Sequence, residues 1–126
     1  MYKILIGLFL SVLCLQAKCQ MQFDEGSFSE VLAKAKQEKR MVFMDCYTSW
    51  CGPCKMLSPV LDELAAEYSD RARFCKVNVE DEPELSARFG IASIPTLIFF
   101  KNGEILKKTV GYREKDELEE TLKELL

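Results

Sequence analysis

The spacing of hydrophobic and polar positions changes several times along the chain, and each change marks an element. Ile4 to Leu15 is an apolar run interrupted only by Ser11 and shows no alternation; Lys3 stands just before it. From Ser27 the apolar residues Phe28, Val31, Leu32 and Ala35 recur at helical spacing. A Ser27-x-x-Glu30 capping box opens that helix and Lys39-Arg40 closes it. Met41 to Tyr47 is a nearly continuous apolar run, as expected of a strand buried on both faces, and a single charge, Asp45, interrupts it. A second helix is predicted from about Pro53 to Tyr68, turning Met56, Leu57, Val60, Leu61, Leu64 and Ala65 toward a core. Pro59 inside it predicts a kink, because proline removes one helical hydrogen bond. Phe74 to Val79 reads as a strand and Glu82 to Phe89 as a short helix behind an Asp-Glu-Pro signal. Pro95-Thr96 opens the strand Leu97 to Lys101, and Asn102-Gly103 is a hairpin turn leading into Ile105 to Val110. A last helix places Leu118, Leu122, Leu125 and Leu126 on one face. Without repeats, low-complexity stretches or a linker, the economical reading is one α/β domain, βαβ followed by ββα.

The apolar run at the start belongs to a different category from the rest. A short positive region, a twelve-residue apolar run and then Gln16-Ala17-Lys18-Cys19 form the pattern of a secretory signal peptide. The run is too short to span a bilayer as an anchor. A cut after Cys19 places small residues, Ala17 and Cys19, at the two positions that matter for cleavage. The expected organisation is therefore a signal peptide over residues 1–19 and a domain over residues 20–126, exported to the periplasm or secreted. A buried N-terminal strand or helix is the competing structural reading. Lipid attachment at Cys19 is less well supported, because the bulky Lys18 stands where lipoprotein signals have a small residue. Removing the signal takes Cys14 and Cys19 with it. An acidic domain remains, carrying Cys46, Cys51, Cys54 and Cys75 into an oxidising compartment.

Composition then narrows the chemistry. With 48% hydrophobic and 29% charged residues in 126, the chain is neither disordered nor a multi-span membrane protein. A net charge of −3 gives no basic footprint, so no nucleic-acid partner is expected. The chain contains no histidine. That excludes an imidazole base, a histidine-aligned nucleophile and a histidine metal ligand, and leaves Cys, carboxylate, Lys, Tyr and backbone. The reactive candidate is Trp50-Cys51-Gly52-Pro53-Cys54, at the junction of a buried strand and a helix. The i, i+3 spacing on a helical turn brings the two sulfurs within disulfide distance. Cys51 lies where unpaired backbone N–H groups and the positive end of the helix dipole favour a thiolate; Cys54, one turn inside, is expected to be more buried and less nucleophilic. Cys51 is thus the attacking cysteine and Cys54 the resolving one. Gly52 permits the tight turn and Pro53 is preorganised for the first helical turn. A zinc half-site lacks its second pair, so no metal is expected. A purely structural disulfide closing so small a ring would stabilise weakly.

Asp45, then Trp50-Cys51-Gly52-Pro53-Cys54-Lys55, Lys76-Val77-Asn78, Ile94-Pro95-Thr96, Lys101-Asn102-Gly103-Glu104 and Gly111 resemble the thioredoxin family in content and spacing, over essentially the whole of residues 20–126. The resemblance implies a thioredoxin fold, a central mixed sheet flanked by helices. It implies that Pro95 is a cis-proline beside the cysteine pair and that the backbone of Ile94 receives a substrate chain. Asp45 corresponds to the buried carboxylate that takes a proton from Cys54, and Lys76 to the lysine that tunes it. Trp50, Gly52, Pro53 and Gly111 correspond to the rim that meets partner proteins. The residues point the same way for Asp45, since a carboxylate in an apolar strand is costly to ionise and its pKa should rise. Three features depart from the family pattern: Tyr47 where tryptophan is frequent, Ser93 where glycine is common, and the additional Cys46 and Cys75. If Asp45 and Lys76 are neighbours, alternation makes Cys46 and Cys75 neighbours on the opposite face, expected as buried thiols.

The function expected is a thiol–disulfide oxidoreductase that reduces protein disulfides, with the Cys51–Cys54 disulfide as its only redox group and no other cofactor. A membrane thiol donor would supply electrons, and the domain suffices as a monomer. Gly-Pro between the cysteines resembles reducing members of the family. A net oxidant or isomerase, or a thioredoxin-fold binding module without turnover, are the alternatives; catalysis by the cysteine pair separates the last of these from the rest.

Overall fold

The computed structural model describes residues 25–126, with side chains described from Phe28 onward. The expected signal segment, with Cys14 and Cys19, lies outside the described residues. Helix α1 (Glu25–Gln37) leads into strand β1 (Met41–Tyr47), helix α2 (Gly52–Glu67) and strand β2 (Ala72–Asn78). The short α3 (Pro83–Arg88), strands β3 (Thr96–Lys101) and β4 (Glu104–Val110), and α4 (Lys115–Leu125) complete the chain.

Among the described residues the sheet has the order β2-β1-β3-β4. β1 runs parallel to β2, through the α2 crossover, and antiparallel to β3, which forms a hairpin with β4. This is the mixed sheet of the βαβ-ββα reading. β1 is central because its sequence leaves no polar face: six of its seven residues are buried, Asp45 among them. Alternation sorts the strand residues onto two cores. Met41, Phe43, Leu97 and Phe99 pack with Leu57, Leu61 and Leu64 of α2 and with Leu118 and Leu122 of α4. Val42, Met44, Ile98 and Phe100 pack with Phe28, Val31 and Ala35 of α1 and Leu85 of α3. Phe43 anchors the first core, edge-to-face with Phe99 at 4.5 Å between centroids and stacked on Phe74 at 4.8 Å.

The local rules explain where the elements begin and end, and where the expectations slip. α1 is already helical at Glu25, so Ser27 falls within its first turn, a displacement of two residues from the expected start, as fraying helix ends allow. α2 continues as helix through Pro59, which sits on the exposed side, so Leu57, Leu61 and Leu64 keep their buried face. Leu126 does not join the α4 stripe. It follows the last helical residue and is 37% exposed, while Leu118 and Leu122 are buried. The hairpin turn uses Asn102 and Gly103 with φ of 54° and 80°, the pair of left-handed conformations a two-residue turn requires. Nothing lies within 4 Å of a Cβ built on Gly103, so an added methyl group meets only the backbone penalty. Gly103→Ala is accordingly expected to cost about 1 kcal/mol in urea unfolding, with no change in redox activity.

The register gathers several chain segments at one end of the sheet. β1 ends at Tyr47, beside Asn78 of β2; Thr96, the first residue of β3, pairs with Cys46; Val110, the last of β4, pairs with Thr96. Pro95 immediately precedes Thr96, Gly111 immediately follows Val110, and Cys51 lies four residues beyond Tyr47. Residues far apart in sequence therefore share one edge.

Candidate active site

Cys51 is the N-cap of α2, and its Sγ accepts a 3.2 Å hydrogen bond from the backbone N–H of Cys54. A helix start has free N–H groups, and here a sulfur occupies the capping place usually held by a serine or aspartate oxygen. Cys51 and Cys54 are disulfide-bonded, with Cα atoms 5.2 Å apart. The expected difference in burial between them is absent: Cys51 is 5% exposed and Cys54 4%. Cap position, rather than depth, distinguishes the two sulfurs, because only Sγ of Cys51 receives the helix N–H.

Asp45 lies on the face of β1 that α2 covers, and its Oδ1 is buried without a hydrogen-bond partner. Burial pushes its pKa up to about 7, against a smaller lowering by the charge of Lys76. A carboxyl held near neutrality can both accept and return a proton under physiological conditions. Lys76 is the register partner of Asp45 on β2. Its Nζ donates a 2.6 Å hydrogen bond to Oγ of Ser58 on α2.

Trp50 is 66% exposed, immediately before the N-cap cysteine. Its indole Nε1 donates to Oε1 of Glu80 at 2.7 Å, tying the loop after β1 to the loop after β2. Across the edge, the Ile94–Pro95 bond is cis. The N–H of Gly111 donates to the carbonyl of Pro95 at 2.8 Å, and the Thr96 hydroxyl donates to the carbonyl of Ser93. Gly111 has φ of 93°, which a residue with a side chain adopts only under strain. Gly52 and Pro53 occupy the exposed first turn of α2, and Ile94 is half-buried.

Cys46 and Cys75 are buried thiols in the core under α1 and α3. They share a face, as alternation requires, but they do not stand opposite one another. Asp45 pairs with Lys76, Cys46 pairs with Val77, and Cys75 pairs with Met44. In a parallel pair both strands advance together, so a residue after Asp45 meets a residue after Lys76, and Cys75 precedes it. Burial, then the charge of Asp45, push Cys46 up to about 12 against a lowering by Lys108, which leaves it a protonated thiol at neutral pH.

Ser58 and Glu80 were not legible as site residues. Ser58 follows Cys54 by one helical turn, a spacing that puts it on the same stripe. No local signal marks Glu80, whose partner is thirty residues away in the chain. Among the described residues no group of three or more Cys, Asp or Glu side chains is placed to hold a metal ion.

A disulfide-bonded cysteine pair at the start of the helix that covers the strand face carrying a buried carboxyl, its pKa raised to about 7, is the arrangement of a thiol–disulfide oxidoreductase. Comparison with known proteins agrees. The family model described as Thioredoxin matches residues 20–124. Over 106 residues the chain is 44% identical to a thioredoxin of Alicyclobacillus acidocaldarius subsp. acidocaldarius, covering 84% of this chain and 97% of that protein. A thioredoxin of Staphylococcus aureus is 44% identical over 88 residues, 70% of this chain and 85% of that protein. The chain belongs to the thioredoxin family.

Proposed function

We propose that this thioredoxin-family oxidoreductase works as a reductase of protein disulfides outside the cytoplasm. The observation that carries the reading is the Sγ of Cys51 in the cap of α2, where the N–H of Cys54 supports negative charge on sulfur. In the reduced protein the Cys51 thiolate attacks one sulfur of a substrate disulfide. An S–S bond forms between enzyme and substrate, and the other substrate sulfur leaves with the electron pair and takes up a proton. Asp45 accepts the proton of the Cys54 thiol. The Cys54 thiolate then attacks Sγ of Cys51, the second substrate thiolate departs, and the Cys51–Cys54 disulfide remains. Two electrons have passed from enzyme to substrate, and an external dithiol must return them. In an oxidising compartment a membrane thiol carrier is the proposed source. The signal-like pattern of residues 1–19 supports that location.

The loop of Ile94, Pro95 and Thr96 and the exposed Trp50 offer a polar edge and an apolar surface for an extended substrate segment beside the pair. Lys76 tunes Asp45 through its charge. Turbidimetric reduction of insulin by dithiothreitol tests the reading: the wild-type protein is expected to accelerate it well above the uncatalysed rate, and a rate equal to background would sink the proposal. Cys54→Ser should accumulate a mixed disulfide at Cys51, and mass spectrometry of the trapped adduct would identify the substrate.

A further inference from the structure

Ser58 projects from α2 one turn beyond Cys54, toward the face of the sheet that carries Asp45 and Lys76. It is half-buried, and it holds the Lys76 ammonium through the 2.6 Å hydrogen bond to its Oγ. The neighbouring Asp45 Oδ1 stays buried with no partner. A partly buried ammonium and a buried carboxylate on adjacent strands would otherwise close on one another, since each supplies the partner the other lacks. Keeping them apart requires a competing acceptor, and Ser58 is the acceptor in place. Alanine at this position would provide the same helix packing without any such hold.

We propose that Ser58 is a positioning residue: its hydroxyl holds the Lys76 ammonium off Asp45, leaving Asp45 free to take the proton that Cys54 releases. The inference rests on the role of Asp45 in the proposed reaction. The surroundings leave few competitors. β2 presents Lys76 to Asp45, and β3 presents the apolar Leu97. α2 brings the Cys51–Cys54 disulfide and Ser58, and α4 brings Leu118 and Leu122. Tyr68 and Tyr112, which pack against this core, have phenols shifted upward and stay neutral. Cys46, next on β1, belongs to the other face and stays a neutral thiol. Lys76 is thus the one charge acting on Asp45 among the described residues, and its position decides how strongly it acts.

The test is the titration of the Asp45 carboxyl carbon by NMR in the oxidised protein, for wild type, Ser58→Ala, Ser58→Thr, Lys76→Met and the Ser58→Ala/Lys76→Met double variant. Releasing the ammonium lets it close on Asp45, so Ser58→Ala is expected to lower the midpoint by about one pH unit. Ser58→Thr keeps the hydroxyl and should titrate like wild type, and Lys76→Met should raise the midpoint. In the Lys76→Met background, Ser58→Ala should have no further effect. An unchanged or raised midpoint in Ser58→Ala, or a full-sized shift without Lys76, overturns the proposal. The pH dependence of mixed-disulfide resolution should move with the titration. If the protein reduces no disulfide at all, the functional reading falls while the carboxyl titration still decides the role of Ser58.

Discussion

Replacing Cys51 by serine is expected to bring catalysed disulfide reduction down to the uncatalysed background. The loss should be on the order of a thousand-fold or more, the scale seen when the attacking group of a covalent mechanism is removed. The reason is local. A serine at the cap would keep the hydrogen bond from the N–H of Cys54 and so keep the helix start, because serine is a preferred N-cap. It would not supply a nucleophile, since a hydroxyl with no adjacent base stays protonated at neutral pH. Stability and activity therefore separate. The variant should unfold in urea close to the reduced wild-type protein while reducing insulin no faster than dithiothreitol alone. Cys54→Ser behaves differently at the same assay endpoint: its Cys51 still attacks, and the reaction halts at the mixed disulfide. A Cys51→Ser protein that retained turnover would transfer the attacking role to Cys54 and remove the significance of the cap.

The second large effect belongs to Asp45. Its pKa in the folded protein is pushed up to about 7 by burial, with Lys76 pulling the other way. In the unfolded chain an aspartate titrates near about 3.9. The folded state therefore binds this proton more tightly than the unfolded state does. The stability this provides is fully present below the unfolded value and is lost as pH rises through the folded value, a window from about pH 4 to about pH 7. Above it, the wild-type protein carries the cost of an ionised carboxylate in an apolar core. Asp45→Asn removes the charge with little change of shape. Three pKa units at about 1.4 kcal/mol each set an upper bound of about 4 kcal/mol on its advantage at pH 8. Partial hydration makes about 2 kcal/mol a realistic figure. The pH-dependent part of the difference should vanish at pH 4. Urea unfolding of the oxidised proteins at both pH values checks this, and an equal difference at the two would assign the effect to packing instead of charge. The gain in stability should come with a loss in chemistry. With no carboxyl to accept the Cys54 proton, resolution of the mixed disulfide should slow on the order of a hundred-fold.

These two residues also show how far a linear reading reaches. The cysteine pair could be assigned from spacing alone, because i, i+3 on a helical turn fixes the sulfur separation whatever the rest of the fold does. The elevated pKa of Asp45 followed from one charge inside an apolar run, since burial on both faces of a strand leaves a carboxylate no solvent. The run from Met41 to Tyr47 coincides with β1, and Asn102-Gly103 marks the hairpin. In each case the information is local: a few consecutive residues suffice to determine the conformation or its cost.

Other features depended on how elements meet. Alternation placed Cys46 and Cys75 on one face but not opposite one another, because pairing depends on the direction and register of two strands. The near-equal burial of Cys51 and Cys54 does not follow from their positions along the helix, since burial depends on what the rest of the chain packs around each residue. Leu126 matched the leucine spacing of α4, yet a stripe is buried only as far as the opposing surface extends.

By itself, then, the sequence determined the α/β order, the pairing of Cys51 with Cys54, the turn at Gly103 and the absence of any imidazole. Asp45 inherits the acid–base role in the proposed reaction for that last reason. The tertiary structure decided which long side chains reach across the interfaces: Lys76 to Ser58, and Trp50 to Glu80. The physical reason is that periodicity fixes only the face from which a side chain leaves. Where a flexible lysine or glutamate ends is set by competing acceptors within its reach, and those come from other parts of the chain.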